Sequence, residues 1–198
     1  MPIAFDIESL RQQHNCKHYF ETGLWDPIQQ DISSWKAVES NFDTVHCIEL
    51  RQDFVDKGNV LFKEYMDEGK YHLYNDDSTN MKKYLDMHPY FNNEKTVFFL
   101  DAHVDNINIK NYKKKCPLLE ELNAIKQLSF KEHVILIDDL RILSSQYPWN
   151  EKSYGNINFL NAIQEIILSI NPEYRFSTLN GHVENDVLIA FCPPIKHN

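Results

Sequence analysis

The chain has 198 residues, 42% of them hydrophobic and 13% aromatic, with a formal net charge of −9. That size suits a single domain, 1–198, which buries roughly 70% of its unfolded surface and needs no disulfide or structural metal to hold it. The acidic balance argues against nucleic acid as a partner, and no apolar run approaches the roughly 20 residues that would permit membrane insertion.

Lys17–Glu21 reads as the first strand and Asp31–Ser40 as a helix. Thr44–Glu49 is a second strand, followed by helical periodicity over Arg51–Met66. Tyr71–Tyr74 and Thr96–Asp101 are further strands, separated by a helix over Ser78–Met87 with Ser78 placed to cap it. The lysines Lys110, Lys113, Lys114 and Lys115 read as a solvated loop. Pro117 opens a helix that runs to Leu128, and His133–Asp138 is the fifth strand. A helix over Asn156–Ile170 leads to Tyr174–Leu179 and Val187–Phe191, joined by a short loop with Asn180-Gly181. Val97–Leu100 and Val134–Ile137 are apolar at every residue, as strands buried on both faces are. The alternation predicts an α/β doubly wound, mostly parallel seven-stranded sheet, helices on both faces and an antiparallel C-terminal strand pair. Four cysteines without C-x-x-C or zinc spacing, and charged Asp6, Glu8 and Arg11 near the start, fit a cytoplasmic protein without a leader.

Ligands of such sheets bind beyond the carboxyl ends of the strands. Those ends carry Glu21-Thr22-Gly23, Glu49, Asp76-Asp77-Ser78, Asp101-Ala102-His103 and Asp138-Asp139. Any one acidic residue there can be a helix cap. Asp101 and Asp138 end the two most apolar strands, however, and two adjacent aspartates exceed what one cap requires. Glu49 is placed to accept ribose hydroxyls, Gly23 to let a cofactor approach the backbone, and Asp76 or Asp77 with Ser78 to meet an adenine. A phosphate-cradling glycine motif is missing. Adenosine contacts without a pyrophosphate cradle point to S-adenosylmethionine (SAM) rather than a dinucleotide.

These segments, together with Phe99-Leu100-Asp101-Ala102-His103, Pro117-Leu118-Leu119-Glu120-Glu121-Leu122 and Ile135-Leu136-Ile137-Asp138-Asp139, resemble the class I SAM-dependent methyltransferases. They are most similar to the macrocin-type, metal-dependent sugar and glycan O-methyltransferases of bacteria and large DNA viruses. The resemblance spans about Tyr19 to Phe191 and implies a Rossmann-like fold and methyl transfer to a sugar or glycan hydroxyl. It implies SAM held by Glu21, Thr22, Gly23, Glu49, Asp76, Asp77, Ser78 and Asp101. It further implies Mg²⁺ (or Mn²⁺) on Asp101, Asp138 and Asp139, and His103 in the general-base position. Two features depart from the family: a histidine at that base position, and Gly23-Leu24-Trp25-Asp26-Pro27 where the class carries several glycines. Asp105, Arg141, Trp149 and His182 are weaker candidates for the acceptor pocket, and a homodimer is left open. Rival readings are a non-catalytic SAM-fold scaffold, a methyltransferase of a small catechol or phenol, and a metal-dependent nucleotide hydrolase or phosphotransferase.

Overall fold

The structure, a computed structural model, describes residues 3–103, 112–143, 155 and 157–193. Asp105 and Trp149 lie outside the described residues. Seven strands form one sheet in the order β3-β2-β1-β4-β5-β7-β6. They are β1 (His18–Thr22), β2 (Thr44–Glu49), β3 (Tyr71–Asn75), β4 (Thr96–Leu100), β5 (Val134–Ile137), β6 (Arg175–Leu179) and β7 (Val187–Phe191). Neighbours among β1 to β5 pair in parallel, while β7 runs antiparallel to both β5 and β6.

The all-apolar strands feed two cores by simple alternation. Phe98, Leu100, Ile135 and Ile137 point into one core, with α5 (Met81–Met87), α6 (Leu118–Lys126) and α8 (Phe159–Ile170). Val97, Phe99, Val134 and Leu136 point into the other, with α1 (Ile7–His14) and α2 (Ser33–Glu39). Side chains alternate faces along a strand, so a run without polar residues is stable only between two such layers.

Helix boundaries depart from the periodicity where a local interaction overrides it. The run at Arg51–Met66 divides into α3 (Gln52–Leu61) and α4 (Lys63–Asp67) at Phe62, which is fully buried against Trp35 and Tyr71. The cap expected from Ser78 comes instead from Asp77, whose carboxylate accepts the Thr79 amide at 2.9 Å to start a 3-10 turn over Ser78–Asn80 ahead of α5. Pro117 sits one residue before α6, its carbonyl accepting the Glu120 and Glu121 amides. Helix α1 was not among the expected elements. Asp6 caps it by accepting the Ser9 amide at 3.0 Å, Asn15 ends it in the left-handed conformation, and Ile7 and Leu10 bury its apolar side. A one-turn helix α7 (Leu140–Leu143) follows β5.

The register sets the functional rim. Thr22 pairs with Ile48 and with Leu100, and Leu100 pairs with Ile137, so four parallel strands end level. The reversed strand β7 begins at that same rim, with Ile137 opposite Leu188. No helix among the described residues is long and apolar enough to cross a membrane. The four cysteines are buried and free.

His133 lies fully buried between β4 and β5, and burial pushes its pKa down to about 3. An unfolded chain protonates histidine near pH 6.5, so between those values the unfolded state holds more protons. The stability His133 contributes is therefore complete above pH 6.5 and drains as the pH falls. Buried carboxylates with raised pKa slope the other way, so the contribution has to be read as a difference. The stability gap between wild type and His133→Gln in urea should shrink by roughly 2 kcal/mol from pH 7 to pH 5. An unchanged gap shows that His133 is not held neutral.

Candidate functional site

A cleft opens at the rim where the parallel strands end. Gly23, Glu49, Asp76, Asp77, Ser78, Asp101, His103 and Asp139 line it, as do Trp25, Arg51, Phe54, Tyr112 and Lys114. The loop after β1 forms one wall. Gly23 has φ +88°, and a Cβ there would collide with the carbonyl oxygen of Asp101, so the loop presses directly onto the end of β4. Trp25 also adopts a positive φ, 65°, without glycine's freedom. Glu49 holds this wall: Oε2 accepts the Leu24 amide at 2.7 Å and Oε1 the Arg51 amide at 2.7 Å. The Trp25 amide bonds the same carboxylate, while burial raises its pKa. Each carboxylate oxygen can accept more than one hydrogen bond, so Glu49 keeps capacity for a ligand. Trp35 Nε1 donates to the Pro27 carbonyl at 2.9 Å and ties down the far end of the loop.

Two of the expected cofactor residues lie below the cleft. Glu21 points into the fully buried layer, where the hydroxyls of Tyr19, Ser33 and Ser34 donate to it. Thr22 is also buried, and its hydroxyl and that of Ser78 bond Glu121. The strand's alternation sends these side chains to the two cores and leaves Gly23 at the rim. Asp76 and Asp77 line the cleft with occupied carboxylates. Asp76 accepts from Asn80 Nδ2 and the Tyr84 hydroxyl, each at 2.7 Å, and Asp77 accepts the Lys113 amide at 2.7 Å. Of the four lysines, Lys110 lies outside the described residues, Lys113 is exposed as expected, and Lys114 lines the cleft, paired to Glu120 at 2.6 Å.

At the ends of β4 and β5, ligand-capable atoms lying within 4.8 Å of one another form two groups, Asp101–His103–Asp139 and Asp138–Asp139–Asp186. Asp101 and Asp138 therefore fall into different groups, which share Asp139. Two full charges at 4.8 Å repel by roughly 3 kcal/mol at an effective dielectric near 20. The pKa values reflect that cost. Burial, with Asp138 and Asp139 nearby, pushes Asp101 up to about 8, and burial raises Asp138. Burial opposes ionisation of Asp139 too, but hydrogen bonding to His103 and the Arg141 guanidinium outweighs it and lowers the pKa. His103 Nε2 contacts Asp139 Oδ2, and Nδ1 lies 3.6 Å from Asp101. Burial disfavours the imidazolium, yet the hydrogen bond it donates to Asp139 and the surrounding carboxylates leave the His103 pKa raised.

Asp139 reaches this position through a backbone φ of 57°, which aspartate tolerates better than most residues. Asp138 packs against Gly181, where a Cβ would lie 3.1 Å from its Oδ1. Arg141 is bound to Asp139 and Asp186 rather than lining the cleft, and His182 is exposed and does not line it. Asp186 and Glu121 went unmarked in the sequence. Asp186 immediately precedes the one reversed strand, whose amino end is what meets the rim.

No family model matches the sequence, and no curated protein matches it. Solved structures do. An O-methyltransferase from Bacillus cereus in complex with SAH matches with a TM-score of 0.59 at 12% identity, over 94% of this chain and 78% of that one. The O-methyltransferase TomG from Streptomyces achromogenes, involved in tomaymycin synthesis and solved with SAM, gives 0.58 at 11%, over 94% and 78%. An SAH-bound methyltransferase from Podospora anserina gives 0.56 at 15%, over 94% and 76%. The fold is that of a Rossmann-like methyltransferase.

Gly23→Ala and Gly69→Ala separate close approach from backbone preference. Both glycines have positive φ, but a Cβ on Gly69 meets nothing within 4 Å. Thermal or urea unfolding should show Gly69→Ala costing roughly 1 kcal/mol and Gly23→Ala clearly more, toward about 3. Equal losses show that the first loop does not press on β4.

Proposed function

We propose that this protein is a SAM-dependent O-methyltransferase that modifies a hydroxyl of a sugar or glycan with the help of a divalent cation. The observation that carries the reading is the shared cleft, which Gly23 and Glu49 line together with the Asp101–His103–Asp139 group, in a protein of this fold. The neighbours solved with SAM and SAH support the same cofactor here.

SAM, when bound, supplies an electrophilic methyl group whose transfer leaves SAH. Glu49 takes the ribose hydroxyls with its remaining acceptor capacity, and the turn built by Asp76, Asp77 and Ser78 shapes the adenine end. His103 takes the proton of the acceptor hydroxyl at Nδ1, the ring nitrogen not bonded to Asp139. Asp139, accepting from Nε2, fixes the orientation of the ring. A divalent cation, when bound, supplies Lewis acidity that makes a hydroxyl easier to deprotonate. The residues suit one: Asp138 and Asp139 offer hard oxygen donors, Asp101 stands in the second group that shares Asp139, and a buried oxygen of Asp138 lacks a hydrogen-bond partner. A second reading, methylation of a small phenol or catechol, is favoured by the small-molecule pathway of TomG.

Glu49→Gln should weaken SAM binding in calorimetry by roughly tenfold, since a neutral amide accepts fewer and weaker hydrogen bonds. Absence of any SAM or SAH binding to wild type favours a scaffold instead. His103→Gln should keep SAM affinity and lose at least about tenfold in methyl transfer. Because the base acts when deprotonated and its pKa is raised, wild-type activity should fall with acid through a midpoint above 6.5, the ordinary histidine value. A limb that persists in His103→Gln assigns the proton transfer elsewhere. A panel of free sugars against catechols, read by methyl incorporation, decides the acceptor class.

A further inference from the structure

We propose that Asp186 joins Asp138 and Asp139 in a divalent-cation site, and that Arg141 occupies it as an internal counter-ion which the metal displaces. This deepens the cation half of the proposed function and does not depend on methyl transfer.

Three carboxylates meet here from two separate segments. Asp138 and Asp139 end β5, and Asp186 precedes β7. They are 1%, 3% and 2% exposed. One ligand-capable atom from each lies within 4.8 Å of the others. Asp138 Oδ2 is buried without a hydrogen-bond partner, while Asp139 Oδ1 and Asp186 Oδ2, on side chains equally buried, are contacted by the Arg141 guanidinium. A buried carboxylate oxygen is ordinarily satisfied, and one left open beside two that share a single guanidinium marks a place for a cation.

The other oxygens are anchored. Asp138 Oδ1 accepts the Asp139 amide at 2.8 Å, and Asp186 Oδ1 accepts the Arg141 amide at 3.0 Å. The Asp186 carbonyl also accepts the Leu140 amide at 2.8 Å, which locks the turn after β5 to the start of β7. Backbone amides therefore orient both of these carboxylates through one oxygen and leave the second without a backbone bond. That is the preorganisation a hard cation requires, and oxygen donors alone select Mg²⁺ or Mn²⁺ over softer metals.

The Arg141 guanidinium bridges the site. Nη1 lies 2.7 Å from Asp139 Oδ1 and also contacts Asp186 Oδ2. One guanidinium nitrogen thus serves an oxygen of each carboxylate. One guanidinium balances one of the three charges, and a divalent ion balances two. The side chain is 41% exposed, so the guanidinium can withdraw into water when an ion arrives.

The test is Mn²⁺ binding to the full chain, followed by electron paramagnetic resonance and by metal-dependent shifts in melting temperature. Wild type should bind one Mn²⁺. Asp186→Asn should weaken that binding by roughly tenfold or more. Arg141→Gln should tighten it by roughly threefold or more, because the competing occupant is gone. It should also melt lower without metal and show the larger Mn²⁺-induced rise. If Asp186→Asn fails to fold, Arg141→Gln still decides the matter. Undiminished binding in Asp186→Asn, with loss in Asp101→Asn, returns the ion to the Asp101 side and overturns this site. Weaker binding in Arg141→Gln overturns displacement. No Mn²⁺ binding by wild type removes both cation readings and leaves SAM binding to be judged by itself.

Discussion

A parallel sheet that ends its strands level must place whatever follows those strands in one small volume. Here that volume receives carboxylates, and the structure of the rim follows from how their repulsion is relieved. Asp139 remains ionised because His103 and Arg141 flank it. Asp101 and Asp138 are pushed toward the neutral form because burial dominates. Glu121, below the floor, shows the same balance: burial pushes it up to about 7 although Ser78 and Thr22 donate to it. A site with this excess of buried acid has strong affinity for positive charge, whichever form that charge takes.

The loop after β1 solves a different problem. A loop that lies this close to the sheet ordinarily relies on glycines. This chain has a single glycine at that turn and compensates with fixed hydrogen bonds. Glu49 accepts amides from both flanking loops, so one carboxylate joins the ends of β1 and β2. Trp25 in a left-handed conformation and Trp35 bonded to Pro27 extend the wall with bulk instead of flexibility.

Much of this was legible beforehand. Val97–Leu100 and Val134–Ile137 could only be central strands, and the residues that follow them had to reach a common rim. Gly23, Glu49, Asp101, His103 and Asp139 were found by that argument, and all line one cleft. Glu21 and Thr22 were adjacent in sequence but belong to the layers below, because position along a strand names the rim only for the residue that leaves it.

The sequence alone determined which strands are buried, their alternation with helices and the acidity of their ends, since periodicity and side-chain chemistry are local properties. Only the tertiary structure decided the pairing of those acids. A one-residue turn at Asp139 separates its carboxylate from that of Asp138, and the reversal of β7 brings Asp186 across 47 positions of sequence to meet them. Such contacts depend on strand direction and register, which no local pattern encodes.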